Sequence, residues 1–159
     1  MNLGDKGLVA EAKGKTPHGE MTIDQLAGIQ PGLAKLMRDV SERYTAAYHA
    51  AKGGNWDLAR YQLKQLRGAF RTAKVTRPKH AKDLDEFDAA HVAPLMKAAE
   101  GKDWGAFEDA FWLGVESSDA YHEKLGYGYI RYQLPAAPPS DLYLGKPEDF
   151  DPKKRQSIT

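Results

Sequence analysis

Ala50-Ala51-Lys52-Gly53-Gly54-Asn55-Trp56 and Ala98-Ala99-Glu100-Gly101-Lys102-Asp103-Trp104 are two copies of one pattern, the second starting at Ala98 where the first starts at Ala50. In each copy a Gly closes one helix and Asn55 or Asp103 is placed to cap the next. A Trp then opens the following helix. Each copy is therefore the tip of a helical hairpin, and the chain holds two similar hairpins in succession. Two units are too few for a solenoid. They predict an all-α fold, an antiparallel up-down-up-down four-helix bundle with short loops.

Working outward from the tips, apolar residues recur at spacings of three and four. The first helix is predicted from about Pro31 to Lys52, with Leu33, Leu36, Met37, Val40, Tyr44, Ala47, Tyr48 and Ala51 on one stripe. The second is predicted from about Trp56 to Val75, with Ala59, Leu63, Leu66, Phe70 and Ala73. The third spans about Lys79 to Glu100, with Leu84, Phe87, His91, Leu95 and Ala98. Pro94 is expected to kink it. The fourth spans about Trp104 to Leu125, with Phe107, Phe111, Gly114, Ser118 and His122.

The segments outside the helices read differently. Residues 1–30 form an N-terminal arm, loose to about residue 20, with one short helix capped by Thr22 and Gln25. Residues 31–126 are the bundle. Residues 127–159 are a Tyr- and Pro-rich tail, extended against the bundle or a partner and disordered from Asp151.

Composition sets further bounds. The chain has 159 residues, a 42% hydrophobic fraction and a formal net charge of +1, values of a single ordinary globular domain. It has no cysteine, which excludes disulfides, thiolate metal sites and covalent haem. No apolar run approaches a membrane span. Met1-Asn2-Leu3-Gly4-Asp5 does not begin a signal peptide. Two compartments fit: the cytoplasm, or the periplasm for a processed chain carrying an added Met. Phosphate-loop spacings and nucleophile–base pairs are not visible, which argues against an enzyme.

Ser118-Asp119-Ala120-Tyr121-His122 keeps the frame of the haem motif C-x-x-C-H with both cysteines replaced. Gly128-Tyr129-Ile130-Arg131-Tyr132-Gln133-Leu134-Pro135 follows, then Pro138-Pro139. With the paired hairpin tips, these residues make the chain resemble the bacterial four-helix-bundle c-type cytochromes, related in architecture to cytochrome c′, over roughly residues 31–145. The resemblance implies the bundle, a ligand pocket and an axial-ligand position at His122. Ser118 and Tyr121 stand at the thioether positions, so covalent attachment and electron transfer do not carry over. The implied function is a non-catalytic ligand-binding or redox-accessory module holding haem non-covalently through His122. A ligand-free interaction protein, as homodimer or subunit, is the alternative. A metal-binding protein using His122, His80 or His91 is another.

Register places the candidate residues. If the last two helices are antiparallel about Lys102, residue n on one lies level with 204 minus n on the other. His122 is then level with Lys82, one turn from His80. Tyr121, His80, Lys74, Arg71 and Arg77 are expected near it, at one end of the bundle. His91 lies level with Leu113, about 13 Å away along the axis at ~1.5 Å per residue. That separation argues against a shared di-iron site and predicts a buried polar cluster of His91, Asp88, Glu116 and Arg43.

Arg60, Lys64, Arg67, Arg71 and Lys74 form a basic stripe on the second helix, opposite acidic third and fourth helices. It reads as charge pairing between neighbours, with docking of a protein partner as the sharper alternative. It lacks the aromatic interleaving and flexible arms of a nucleic-acid surface. Trp56 and Trp104 read as structural, and Trp112 as facing a pocket or a neighbour. Tyr121, Tyr127, Tyr129 and Tyr132 read as sealing the bundle end.

Overall fold

The computed structural model describes residues 12–137 and 141–154. Pro138, Pro139, residues 1–11 and residues 155–159 lie outside the described residues. The chain is mostly helical, with one small two-stranded sheet. It divides into two compact units, one up to Pro31 and one from Gly32.

The first unit adds that sheet to a helical chain, over residues 13–22, where the sequence predicts a loose arm to about residue 20. Strands β1 (Lys13–Thr16) and β2 (Gly19–Thr22) pair antiparallel, Lys13 opposite Thr22. Pro17 presets the turn, and the Thr16 hydroxyl donates to the Gly19 carbonyl at 3.0 Å. Neither strand buries a residue, so the apolar alternation that would announce a hairpin is missing. Helix α1 (Ile23–Gly28) follows with the expected capping box: the Gln25 N–H donates to the Thr22 hydroxyl, and the Thr22 N–H to the Gln25 side chain.

In the second unit, α2 (Leu33–Lys52) packs against α3 (Trp56–Thr76) along most of its length. Helix α2 begins at Leu33 behind an N-cap at Gly32, two residues later than the expected start near Pro31. A short 3₁₀ turn (Pro78–His80) leads into α4 (Ala81–Phe87), a π turn (Asp88–Val92) and α5 (Ala93–Gly101), which make one continuous helical segment. Helix α6 (Trp104–Lys124) packs on α5 and α4 and touches α2.

The sequence repeat persists in the hydrogen bonds. The Asn55 N–H donates to the Ala50 carbonyl and the Gly54 N–H to Ala51; Asp103 and Lys102 do the same to Ala98 and Ala99. Both helices thus end in the same left-handed cap. Gly54 supplies the positive φ (82°) in the first, but Lys102 does so in the second (54°), so a glycine at the left-handed position is not common to both. Asn55 accepts from the Leu58 N–H and Asp103 from the Ala106 N–H, as expected of caps.

Core positions repeat as well. Tyr44 and Val92, Ala47 and Leu95, Tyr48 and Met96, Ala59 and Phe107, and Leu63 and Phe111 are buried pairs at equivalent positions of the two hairpins. In Ala47–Leu95 and Ala59–Phe107 a large residue in one hairpin answers a small one in the other, which lets both pack into a shared core.

Before the π turn the offset between equivalent positions is shorter by one. Met37 matches Leu84, and Val40 matches Phe87, all partly buried against the core. The second hairpin therefore carries one extra residue between Phe87 and Val92. The π turn absorbs it, with the Ala93 N–H donating to Asp88 five residues back. Pro94 follows immediately; it has no N–H to offer and would crowd the carbonyl of Ala90 in a regular α turn. The widened turn stands where the sequence predicts a kink.

The tail is only partly exposed. Tyr132, Leu134 and Leu144 pack on the core. The Tyr132 hydroxyl lies 2.8 Å from that of Thr45. Gly54 and Gly145 form an isolated antiparallel bridge, and the Asn55 amide donates to the Tyr143 carbonyl at 3.2 Å. Pro152–Lys154 forms a 3₁₀ turn, where the sequence predicts disorder from Asp151.

Candidate functional site

His122 sits in the last turn of α6, on the continuation of the stripe of Phe107, Phe111 and Gly114. Its side chain is half-buried. Its carbonyl accepts the Tyr127 N–H at 2.7 Å, and its Nδ1 is buried with no partner among the described residues. The left-handed Gly126 (φ 85°) turns the chain there, so the helix end takes up the backbone carbonyl of His122.

Tyr121 points elsewhere. Its hydroxyl donates to Glu86 at 3.3 Å, its ring meets Phe87 edge-on at 6.2 Å, and the Lys124 ammonium lies 5.4 Å from its centroid. Partial burial and then the Glu86 carboxylate raise its phenol above the ordinary value. Lys124 in turn donates to Asp83 at 3.0 Å, which raises its own affinity for the proton. Tyr121 thus locks α6 to α4.

These contacts refine the register. A Cβ at Gly114 would lie 3.5 Å from the His91 Cβ, one residue from the expected level. In the Tyr121–Glu86 and Lys124–Asp83 pairs the α6 member stands three residues farther from the turn than level. Helical side chains lean toward the N-terminus of their own helix, which displaces side-chain contacts in this direction.

The expected cluster at one end is not linked by contacts. Lys74 donates to Asp85 at 2.6 Å on α4. The Arg77 guanidinium donates to the Thr76 carbonyl. His80, in the 3₁₀ turn, is half-buried, and no hydrogen bond or ring contact joins it to His122 among the described residues. The described residues contain no group of three His, Asp or Glu placed to hold a metal ion.

The expected polar cluster about His91 is overturned. Asp88 turns outward to α3 and accepts from Arg67 at 2.7 Å. Arg43 pairs with Asp39 at 2.9 Å and donates to Gln62 at 3.1 Å. Glu116 is exposed. His91 is left with a buried, unpartnered Nδ1 and its ring against Phe87 at 5.0 Å. The extra residue of the π turn rotates Asp88 away from His91 and toward α3. Burial without a partner lowers the His91 pKa below its ordinary value.

Gly114 is a feature the sequence reading passes over. A side chain there would collide with the Tyr44 hydroxyl, which donates to the Phe111 carbonyl at 2.9 Å. Burial and then the nearby Tyr132 push the Tyr44 phenol far above its ordinary range, so it stays protonated as a donor. A lone Gly on the stripe of a helix costs about 1 kcal/mol relative to Ala, and that cost is the signal for a close approach.

The basic stripe resolves mostly into pairs. Arg60 pairs with Asp57, Arg67 with Asp88, and Lys74 with Asp85. Arg71 has no such partner among the described residues. It lines a groove of about 380 Å³ between α3 and α4. Trp112 is 41% exposed, with its ring 6.2 Å from Tyr48. Of the four tyrosines, Tyr132 packs on the core, Tyr121 bridges to α4, and Tyr127 and Tyr129 are exposed.

No helix among the described residues is long and apolar enough to cross a membrane. Comparison with protein families, with curated proteins and with solved structures finds no match.

Proposed function

We propose that the chain is a non-catalytic ligand-binding or redox-accessory module, an up-down-up-down bundle of α2, α3, the 81–101 segment and α6, with His122 as its ligand-facing residue. The observation that carries this reading is the half-buried imidazole of His122, whose buried Nδ1 has no partner among the described residues. A buried polar atom left unpaired costs on the order of 1–3 kcal/mol, which a bound group or water would recover.

Haem held without thioether bonds is the proposed ligand. His122 fits an axial donor. Arg71 and Arg77 do not converge with it as partners for propionates, so any haem would rest on His122 and apolar contact. Bound haem would supply an iron for one-electron chemistry. Titration of the purified protein with haem tests the reading. A shifted Soret band that disappears in His122→Ala is expected. The absence of a protein-dependent band in the unaltered chain would remove haem.

The alternative, an interaction protein, is favoured by one observation. Leu125, Tyr127, Tyr129 and Ile130 are all exposed, Tyr129 at 79%, directly after α6. Such residues fit a face that a second copy covers. Light scattering should then show a dimer that Tyr129→Ser with Ile130→Ser dissociates. A monomer at every concentration would end this alternative.

A further inference from the structure

The groove between α3 and α4 has an unbalanced charge pattern. Arg67, Arg71 and Lys74 lie on its α3 wall at successive turns. Asp85 on α4 and Asp88 at the start of the π turn are the two carboxylates on its opposite wall. Asp88 is taken by Arg67 at 2.7 Å and Asp85 by Lys74 at 2.6 Å. Arg71 stands between the two pairs with no anion of its own among the described residues. One positive charge is left over, on the α3 wall of the groove.

The surroundings define what could neutralise it. Phe70, almost fully buried, and Leu84, half-buried, give the groove an apolar floor. The Arg71 Nη2 lies 3.5 Å from where a Cβ at Gly68, one turn earlier and outside the groove lining, would be. The guanidinium therefore lies back along α3 at the edge of the groove, with no ion pair among the described residues. A guanidinium presents paired N–H donors that match the two oxygens of a carboxylate. The volume, about 380 Å³, is within the range of small-molecule sites.

We propose that this groove binds a small monocarboxylate with an apolar body, the carboxylate forked on Arg71 and the body over Phe70 and Leu84. The site is separate from His122, and the proposal does not rest on the haem reading. The ion pairs on either side have a definite part in it: they hold Arg67 and Lys74 away from the ligand, so selectivity is for a single negative charge. A dianion would have to compete with Asp85 and Asp88 for the flanking cations.

Benzoate is the probe, titrated into the purified full chain at pH 7 and low salt and followed by calorimetry or backbone amide NMR shifts. Saturable binding is expected, with shifts on α3 and α4, weaker as salt rises. Arg71→Gln should weaken it about tenfold or more, as loss of a charge-assisted fork implies. Arg71→Lys should restore part of it, because the charge returns without the fork. Lys64→Gln, on the same helix but outside the groove, should leave it unchanged. Circular dichroism checks that each variant is folded, and Arg71 is exposed, so its replacement is compatible with the fold. The proposal is overturned by any of three results: no saturable binding by the unaltered chain, equal affinity in Arg71→Gln, or equal weakening by Lys64→Gln.

Discussion

At the first helical turn the tail is seated on the backbone: Gly145 bridges Gly54, and the Asn55 amide donates to the Tyr143 carbonyl. At the second turn, with the same hydrogen bonds and the same left-handed position, no Cβ added at Gly101 would meet anything within 4 Å. The difference lies at two of three equivalent positions. Gly53 leaves room for the Leu144 carbonyl, Gly54 leaves room for the Lys146 stem, and Asn55 has an N–H₂ to donate. Their counterparts are Gly101, Lys102 and Asp103. Asp103 can cap a helix but has no donor for a carbonyl. The backbone of a turn is thus shared between the hairpins, while its capacity to hold another segment is set by one amide and one missing side chain.

The same contrast runs into the core and gives the largest expected effects. Leu66 and Gly114 occupy equivalent positions of the two hairpins, and both are buried. Leu66→Ala would open a cavity and cost about 2–5 kcal/mol. Gly114→Ala would drive a methyl into the Tyr44 hydroxyl and cost about 1–3 kcal/mol. Urea unfolding of both variants checks this. A stabilised Gly114→Ala would mean that the two positions are interchangeable after all.

At the turns, an alanine has opposite signs. At Gly53 its Cβ would overlap the Leu144 carbonyl, whose carbon would be 2.9 Å away, so Gly53→Ala is expected to lose about 1–3 kcal/mol as the tail is displaced. At Gly101, the last helical residue, alanine meets open space and should gain up to ~1 kcal/mol. Melting temperatures moving in the same direction for the pair would break the contrast.

Asn55→Asp keeps the cap acceptor and removes the donor to Tyr143. A loss near ~1 kcal/mol is expected, with faster amide exchange in residues 141–145. Asp103→Asn, the reciprocal change, should be neutral within about half a kcal/mol. If amide exchange in the tail does not respond to Asn55→Asp, the amide is not what holds it.

The smallest effect is in acid, and it separates Arg43 from His91, another pair of equivalent positions. Arg43 is paired with Asp39, while burial lowers the pKa of His91. The unfolded chain therefore binds the proton more readily than the folded one. Stability contributed by neutral His91 is intact above the ordinary histidine value near ~6.5. It declines as pH falls from there toward the lower folded value. His91→Gln should flatten that part of the stability–pH curve, and an unchanged slope would assign it to other groups.

Much of this was legible in the residues. The sequence repeat, the caps at Thr22, Asn55 and Asp103, and the extents of α3 and α6 follow from local chemistry and periodicity. The π turn was not, because a one-residue insertion changes the phase of a stripe only by comparison with the other hairpin, and Pro94 masks it as a kink. The β1–β2 pairing was not, because neither strand buries a side chain. Of the site, the exposure of Tyr127 and Tyr129 was not legible, nor the turn of Asp88 toward Arg67. Aromatic and charged residues on a helix have several neighbours open to them, and only packing selects one.

By itself, then, the sequence determined where helices start and stop and which stripe each buries, since these depend on neighbours a few residues apart along the chain. The tertiary structure decided what those stripes and turns meet. The Ser118–His122 frame leads to a half-buried histidine with an unspent Nδ1, and the basic stripe leads to one arginine without a partner among the described residues. Both depend on contacts between segments distant in sequence, where a shift of one residue, such as the π turn imposes, changes which side chain answers which.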